Sequence, residues 1–221
     1  MPLSVLAKDR KAFNIWKGSL SGGWSPLQLD GLRKELKAIS RICGDRGWCP
    51  GTSGNISARI PGTDKVLIKI TGRSMAEAED QDFVLIDLEG KALEEVEGRP
   101  SKEVNFHLGI YRARSDVEAV LHTHPTFATA QATATGSFPI LGALASILKR
   151  VPVIEYYPPG SKELAEEVVR AFKDDPSIRV VALKAHGLVA AASTLREAYY
   201  LTDWAEDAAK LAFLVAMIGR L

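Results

Sequence analysis

NISARI at residues 55–60, KVLIKI at 65–70 and FVLIDL at 83–88 are three short runs rich in Ile, Val and Leu, parted by Gly, Pro and Asp. Runs of that length, bounded by turn residues, predict adjacent antiparallel strands joined as a meander. Upstream, Leu29, Leu32, Leu36, Ile39 and Cys43 recur at helical spacing, with Ser25 and Pro26 as the start signal and Gly44 near the end. Downstream, Ser101 opens a helix with Val104, Leu108 and Tyr111 on one stripe, and VEAVLHTH at 117–124 follows as a strand. A further helix runs from Ser161, with Leu164, Val168 and Phe172 as its apolar face. IRVVALK at 178–184 is nearly continuous in apolar residues, the mark of a strand covered on both faces, and GLVAAA at 187–192 is expected to pair beside it. The capping box from Thr194 to Glu197 starts a last helix that passes Trp204 and reaches about Ile218. Strands cluster between helices instead of alternating strictly with them. The expected fold is therefore α/β: a single domain of α/β/α layers over residues 25–221, with a central mixed, largely antiparallel sheet. Residues 1–24, ending in the turn-rich SLSGGWSP, read as an N-terminal arm.

Composition narrows the function classes. With 221 residues, 46% hydrophobic and 25% charged, the chain can bury one sizeable core. Its 28 Lys and Arg against 27 Asp and Glu leave a net charge of +1, without the basic excess that nucleic-acid binding requires, so no nucleic-acid partner is expected. No apolar run reaches the roughly 18 residues of a membrane span, so no membrane partner is expected either. Lys8, Arg10 and Lys11 have no apolar stretch behind them, which points to a cytoplasmic protein. Cys43 and Cys49 are read as reduced, packed thiols.

The four histidines are the most informative residues. His122 and His124 stand two apart in a strand, so their side chains share a face and can chelate one ion from a rigid platform. His186, just past the buried run, can present a third imidazole to the same ion. Three imidazoles suit zinc with one coordination position left open. Glu103 falls in the first turn of the helix before the HTH strand, where a helix N-terminus also favours anions, and Ser101 and Lys102 add a hydroxyl and a cation. GTSGNIS at 51–57 and KITGRS at 69–74 combine glycines with small hydroxyl residues and permit close backbone approach to a phosphate, although each alone reads equally as an ordinary turn.

In their order, GTSGNISAR, IKITGRSM, GRPSKEVNFH, AVLHTHPTFATA, PPGSKELAEEV and KAHGLVA resemble the class II aldolase/adducin family over about residues 30–215. The resemblance implies one zinc ion per subunit on His122, His124 and His186. Glu103 is then a ligand in the resting state and the acid/base once substrate displaces it. It implies a phosphate cradle of Thr52, Gly54 and Asn55, of Thr71 and Gly72, and of Ser101 with Lys102, the last standing where the family's aldolases carry a second serine. The implied activity is reversible cleavage of a ketose 1-phosphate to dihydroxyacetone phosphate and a small aldehyde through a metal-stabilised enediolate, in a homotetramer. A dehydratase or 4-epimerase on the same zinc site and a non-catalytic, adducin-like scaffold are the alternatives. The family's aldolases place a proton-donating tyrosine before the VPVIEY segment, and its dehydratase a glutamate. Here Ile140–Leu148 is apolar, leaving Tyr156, Tyr157, Tyr199 and Tyr200 as replacement acids. The epimerase prefers aspartate where Glu103 stands.

Overall fold

The structure is a computed structural model that describes residues 25–219; the expected N-terminal arm lies outside them. Helix α1 (Pro26–Asp45) begins where predicted: the Ser25 hydroxyl accepts from the Gln28 amide, and Gln28 returns the bond to the Ser25 amide. The meander follows as β1 (Asn55–Arg59), β2 (Lys65–Lys69) and β3 (Phe83–Asp87). Next come α2 (Val104–Ala113), β4 (Ala119–Thr123), α3 (Thr126–Thr135), the short α4 (Ala145–Leu148), β5 (Val153–Ile154), α5 (Lys162–Asp174), β6 (Val180–Leu183), β7 (Gly187–Ala192) and α6 (Leu195–Ile218).

The strands form one seven-stranded sheet in the order β3-β2-β1-β4-β7-β6-β5. Every neighbouring pair is antiparallel except β5 with β6, so the sheet is mixed and largely antiparallel as expected. Alternation along the strands feeds two cores. Ile56, Leu67, Leu121 and Ala190 face α1, α3 and α6, where Leu36, Ile39, Ala128, Ala205 and Ala209 meet them. Val66, Ile68, Val120, Val181 and Val189 face α2 and α5, against Phe106, Ile110, Leu164 and Phe172. Each fully buried aliphatic side chain contributes about 1.5–3 kcal/mol relative to exposure.

Three local details differ from the sequence reading. Ser101 does not open α2; Ser101–Lys102–Glu103 form a turn and Glu103 occupies the N-cap, with its side chain turned away from the helix amides. Glu197 completes only half the capping box: Thr194 accepts from its amide, but its carboxylate takes the Ser193 amide and hydroxyl and pairs with Arg179. Helix α3 was not foreseen, because TFATAQATAT carries small residues on every side and lacks an apolar stripe. Its N-cap is Pro125, whose side chain cannot cap, and the exposed amides are met from outside the helix. Glu206 of α6 accepts from Phe127 N at 3.0 Å and Ala128 N at 2.8 Å. A carboxylate at a helix N-terminus also complements the helix dipole.

Replacing Glu206 by Ala is expected to cost about 1 kcal/mol, the typical value of a lost N-cap. In a chain of this size that corresponds to a fall of about 2–4 °C in Tm, measurable by calorimetry.

Candidate metal centre

The register of three strands builds the site. Asn55 on β1 lies across from His122 on β4, and His122 lies across from Val189 on β7, so the C-terminal end of β4 is flanked by the start of both neighbours. His124 follows β4 directly, its amide donating to Trp48 O at 2.7 Å. β6 and β7 are joined by the tight turn Lys184–Ala185–His186, in which Ala185 takes a left-handed φ of 51°. That turn brings His186 to the same end. The glycine after it has a steric reason: a Cβ at Gly187 would overlap the Thr123 carbonyl oxygen and lie 2.9 Å from the His124 ring.

The three imidazoles converge. One ligand nitrogen from each of His122, His124 and His186 lies within 4.8 Å of the others. His122 Nδ1 donates to Leu188 O at 2.8 Å, which leaves its Nε2 as a bare lone pair, 3.0 Å from His124 Nε2. Two nitrogens that close need a proton or a cation between them. Glu103, only 7% exposed, places Oε2 3.2 Å from His122 Nε2 and Oε1 3.3 Å from His186 Nε2. Oε1 is buried without a hydrogen-bond partner. Burial pushes the imidazoles of His122, His124 and His186 each down to about 4, so all three are neutral at neutral pH. Three neutral nitrogen donors and one carboxylate with an orphaned oxygen fit a divalent metal ion.

The loop that carries Gly54 and Asn55 adjoins this centre. Asn55, 5% exposed, spends its side chain inside the site: Nδ2 donates to Glu103 Oε2 at 2.9 Å and Oδ1 contacts His107 Nε2 at 2.5 Å. Gly54, at φ 73°, has no room for a side chain, since a Cβ would sit 2.6 Å from Cys49 Sγ. Thr71 and Gly72 follow β2, with the Thr71 amide donating to Arg99 O, while the Ser101 amide donates to Lys69 O. The second and third loops are thereby knitted together. Ser101 is buried and its Oγ accepts from the Glu103 amide, whereas Lys102, Thr52 and Gly72 are exposed. Ser53 was not singled out from the sequence, yet its hydroxyl is buried there without a hydrogen-bond partner.

Sequence reasoning also left His107 without a role. It is fully buried behind Asn55, with Nδ1 2.7 Å from Ser57 Oγ, which is 2.8 Å from Tyr111 Oη. The signal was present as two periods: Asn55 and Ser57 two apart on a strand, and Glu103, His107 and Tyr111 four apart on a helix. None of the replacement tyrosines bonds to the centre. Tyr199 Oη accepts from Arg46, Tyr200 packs against Tyr199 and Trp204, and Tyr156 is exposed.

Residues 34–213 match the model of the class II aldolase and adducin N-terminal domain. The chain belongs to that family. It is 33% identical over 189 residues to the L-fuculose phosphate aldolase of Methanocaldococcus jannaschii, covering 85% of this chain and 99% of the relative. It is 30% identical over 191 residues to the 3-oxo-tetronate 4-phosphate decarboxylase of Escherichia coli K12, covering 83% and 87%. A solved L-fuculose 1-phosphate aldolase superposes with a TM-score of 0.73 at 29% identity, covering 85% of this chain and 87% of that one.

Two outcomes follow for the centre. Gly187→Ala is expected to displace His124 and weaken metal binding at least tenfold, read by chelator competition. Because the buried imidazoles titrate well below their ordinary 6.5, the unfolded chain binds more protons than the folded one between about pH 6.5 and 4. Stability of the metal-free protein is therefore full above pH 6.5 and declines as pH falls toward 4. The decline in Tm should be shallower in His124→Gln, and equal slopes for the two proteins would contradict the assignment.

Proposed function

We propose that this protein is a zinc-dependent aldolase that reversibly cleaves a ketose 1-phosphate, of the L-fuculose 1-phosphate kind, to dihydroxyacetone phosphate and a small aldehyde. The observation that carries this reading is the placement of Glu103: a buried carboxylate against His122 and His186, beside loops suited to a phosphate. Zinc held by His122, His124, His186 and, at rest, Glu103 would supply Lewis-acid polarisation of the substrate carbonyl. The chain's own groups do the remainder. Thr52 and Gly54 of the first loop, Thr71 and Gly72 of the second, and Ser101 with Lys102 of the third would hold the phosphate and fix the carbon skeleton at the centre. Asn55 belongs here to the Glu103 side of the site, since both ends of its amide are occupied. As the bond to the departing aldehyde breaks, its electron pair passes into the enediolate, and Glu103 gives that carbon its proton. In the condensation direction Glu103 removes the same proton. A homotetramer belongs to this reading and agrees with the exposed apolar residues Leu211, Phe213, Leu214 and Ile218 near the end of α6.

One observation favours a second reaction at the same centre. Cleavage to an aldehyde requires a base for the hydroxyl proton, and Ile140–Leu148 offers no tyrosine. Loss of carbon dioxide from a 2-hydroxy-3-oxo acid phosphate yields the same enediolate without that proton transfer, and the Escherichia coli relative is named for the decarboxylation of a 3-oxo acid phosphate.

The test is zinc content, with release of dihydroxyacetone phosphate from a panel of ketose 1-phosphates before and after chelation. About one zinc per chain and chelator-sensitive release are expected. Glu103→Gln should lower release at least a hundredfold, the scale of a lost general acid/base at about 10²–10⁴. Carbon dioxide from 3-oxo acid phosphates without release from any ketose 1-phosphate would replace the aldolase by the second reaction. Full activity of Glu103→Gln would overturn the mechanism.

A further inference from the structure

The buried contact between α2 and β1 is polar where its surroundings are apolar. Glu103, His107 and Tyr111 lie one helical turn apart on α2 and face Asn55 and Ser57, two residues apart on β1. Asn55 is 5% exposed, Tyr111 1%, and His107 and Ser57 not at all, with Phe106, Ile110 and Val120 around them. Burying four polar side chains in an apolar layer is costly unless each is satisfied, and here each is satisfied by the next.

The partners dictate one direction for the protons. Asn55 Nδ2 donates to Glu103 Oε2 at 2.9 Å, so the amide turns its NH₂ toward the carboxylate. Its Oδ1 then faces His107, whose Nε2 must carry the hydrogen. A neutral imidazole with Nε2–H has a bare Nδ1, so Ser57 donates its hydroxyl hydrogen to Nδ1 and accepts from Tyr111. Either nitrogen of Asn55 or His107 could have been placed the other way round by itself. The chain as a whole permits only the arrangement in which a donor points at Glu103.

We propose that His107 is a positioning residue for Glu103: through its Nε2–H it locks the Asn55 amide with Nδ2 toward Oε2, and Ser57 with Tyr111 locks His107 in turn. The consequence is that Oε2 of Glu103 is tethered, while Oε1, the oxygen with no hydrogen-bond partner, faces His186 at the centre. This inference rests on the reading of Glu103 as the working carboxylate of a metal centre and extends it to residues with no contact to the ion.

Nitrogen-15 NMR of the metal-free protein tests the tautomer without any substrate. His107 is expected as the Nε2–H form with a bare Nδ1; the Nδ1–H form would overturn the proposal. Zinc affinity by chelator competition tests the consequence. Outer partners of metal ligands typically contribute about 10–100-fold in affinity. His107→Leu is therefore expected to weaken zinc binding about tenfold or more, in the same direction as Glu103→Gln. His107→Gln, which keeps a donor near the Nε2 position, should recover most of the loss. A folded His107→Leu that binds zinc as tightly as the parent, while Glu103→Gln does not, would refute the relay and leave the functional reading standing. Unchanged affinity in both variants would sink the relay and the functional reading together. Should His107→Leu fail to fold, the tautomer and the comparison of His107→Gln with Ser57→Ala decide: Ser57→Ala is expected to weaken zinc binding and His107→Gln to do so less.

Discussion

A carboxylate that is 7% exposed, set against three imidazoles that burial keeps uncharged, is the constraint on which the rest of the structure depends. One negative charge in a desolvated pocket is unfavourable by itself, and so are four nitrogen and oxygen lone pairs pointed inward. The protein answers with fixed partners on two of the outer atoms. Leu188 O takes the Nδ1 hydrogen of His122, and Asn55 tethers Glu103. Inside, Glu103 Oε1 faces His186 Nε2 without a hydrogen-bond partner, and Oε2 lies 3.2 Å from His122 Nε2. A divalent cation would settle that imbalance.

The antiparallel register makes the constraint affordable in geometry. Because β4 pairs with β1 on one side and β7 on the other, the end of one central strand is reached by three chain segments within a few residues of their turns. The β6–β7 turn delivers His186, and the missing side chain of Gly187 lets it close against Thr123 and His124. Helix α3 then leaves the site at once, with its first amides held by Glu206 from α6, so the His124–Pro125 turn is anchored at both ends.

Much of this was legible in the chain. The strand clusters at 55–60, 65–70 and 83–88 and the continuous apolar run before His186 announced a largely antiparallel sheet, because burial on one or both faces leaves a direct mark on composition. The HxH pair was legible because strand alternation is a fixed period of two. The expected role of Asn55 was less so: a residue in a glycine-rich loop reads as backbone punctuation, and only the register shows that its side chain is enclosed between Glu103 and His107. His107 was hidden for a related reason. A histidine among Phe106, Leu108 and Ile110 looks like a packed residue until the strand opposite it is known to present Asn55 and Ser57. Ser101 misled through a true propensity, since serine is a good N-cap, but the helix start is displaced so that Glu103 can turn into the site. Helix α3 was invisible because alanine and threonine leave no stripe.

The polar row behind Glu103 also has an end, and the end is closed. It runs from Glu103 through Asn55, His107 and Ser57 to Tyr111, which is 1% exposed and lies in the apolar layer beneath α5. An amide stands in the middle of the row, and an amide passes on orientation without passing on a proton. The row is therefore a brace rather than a wire: its far end is buried, and the Asn55 amide stands between Glu103 and the members that could hand hydrogen along. On the proposed mechanism, any hydrogen that Glu103 lifts from a substrate carbon would have the mouth of the site as its route out, and with substrate seated there it would stay beside the carbon it came from.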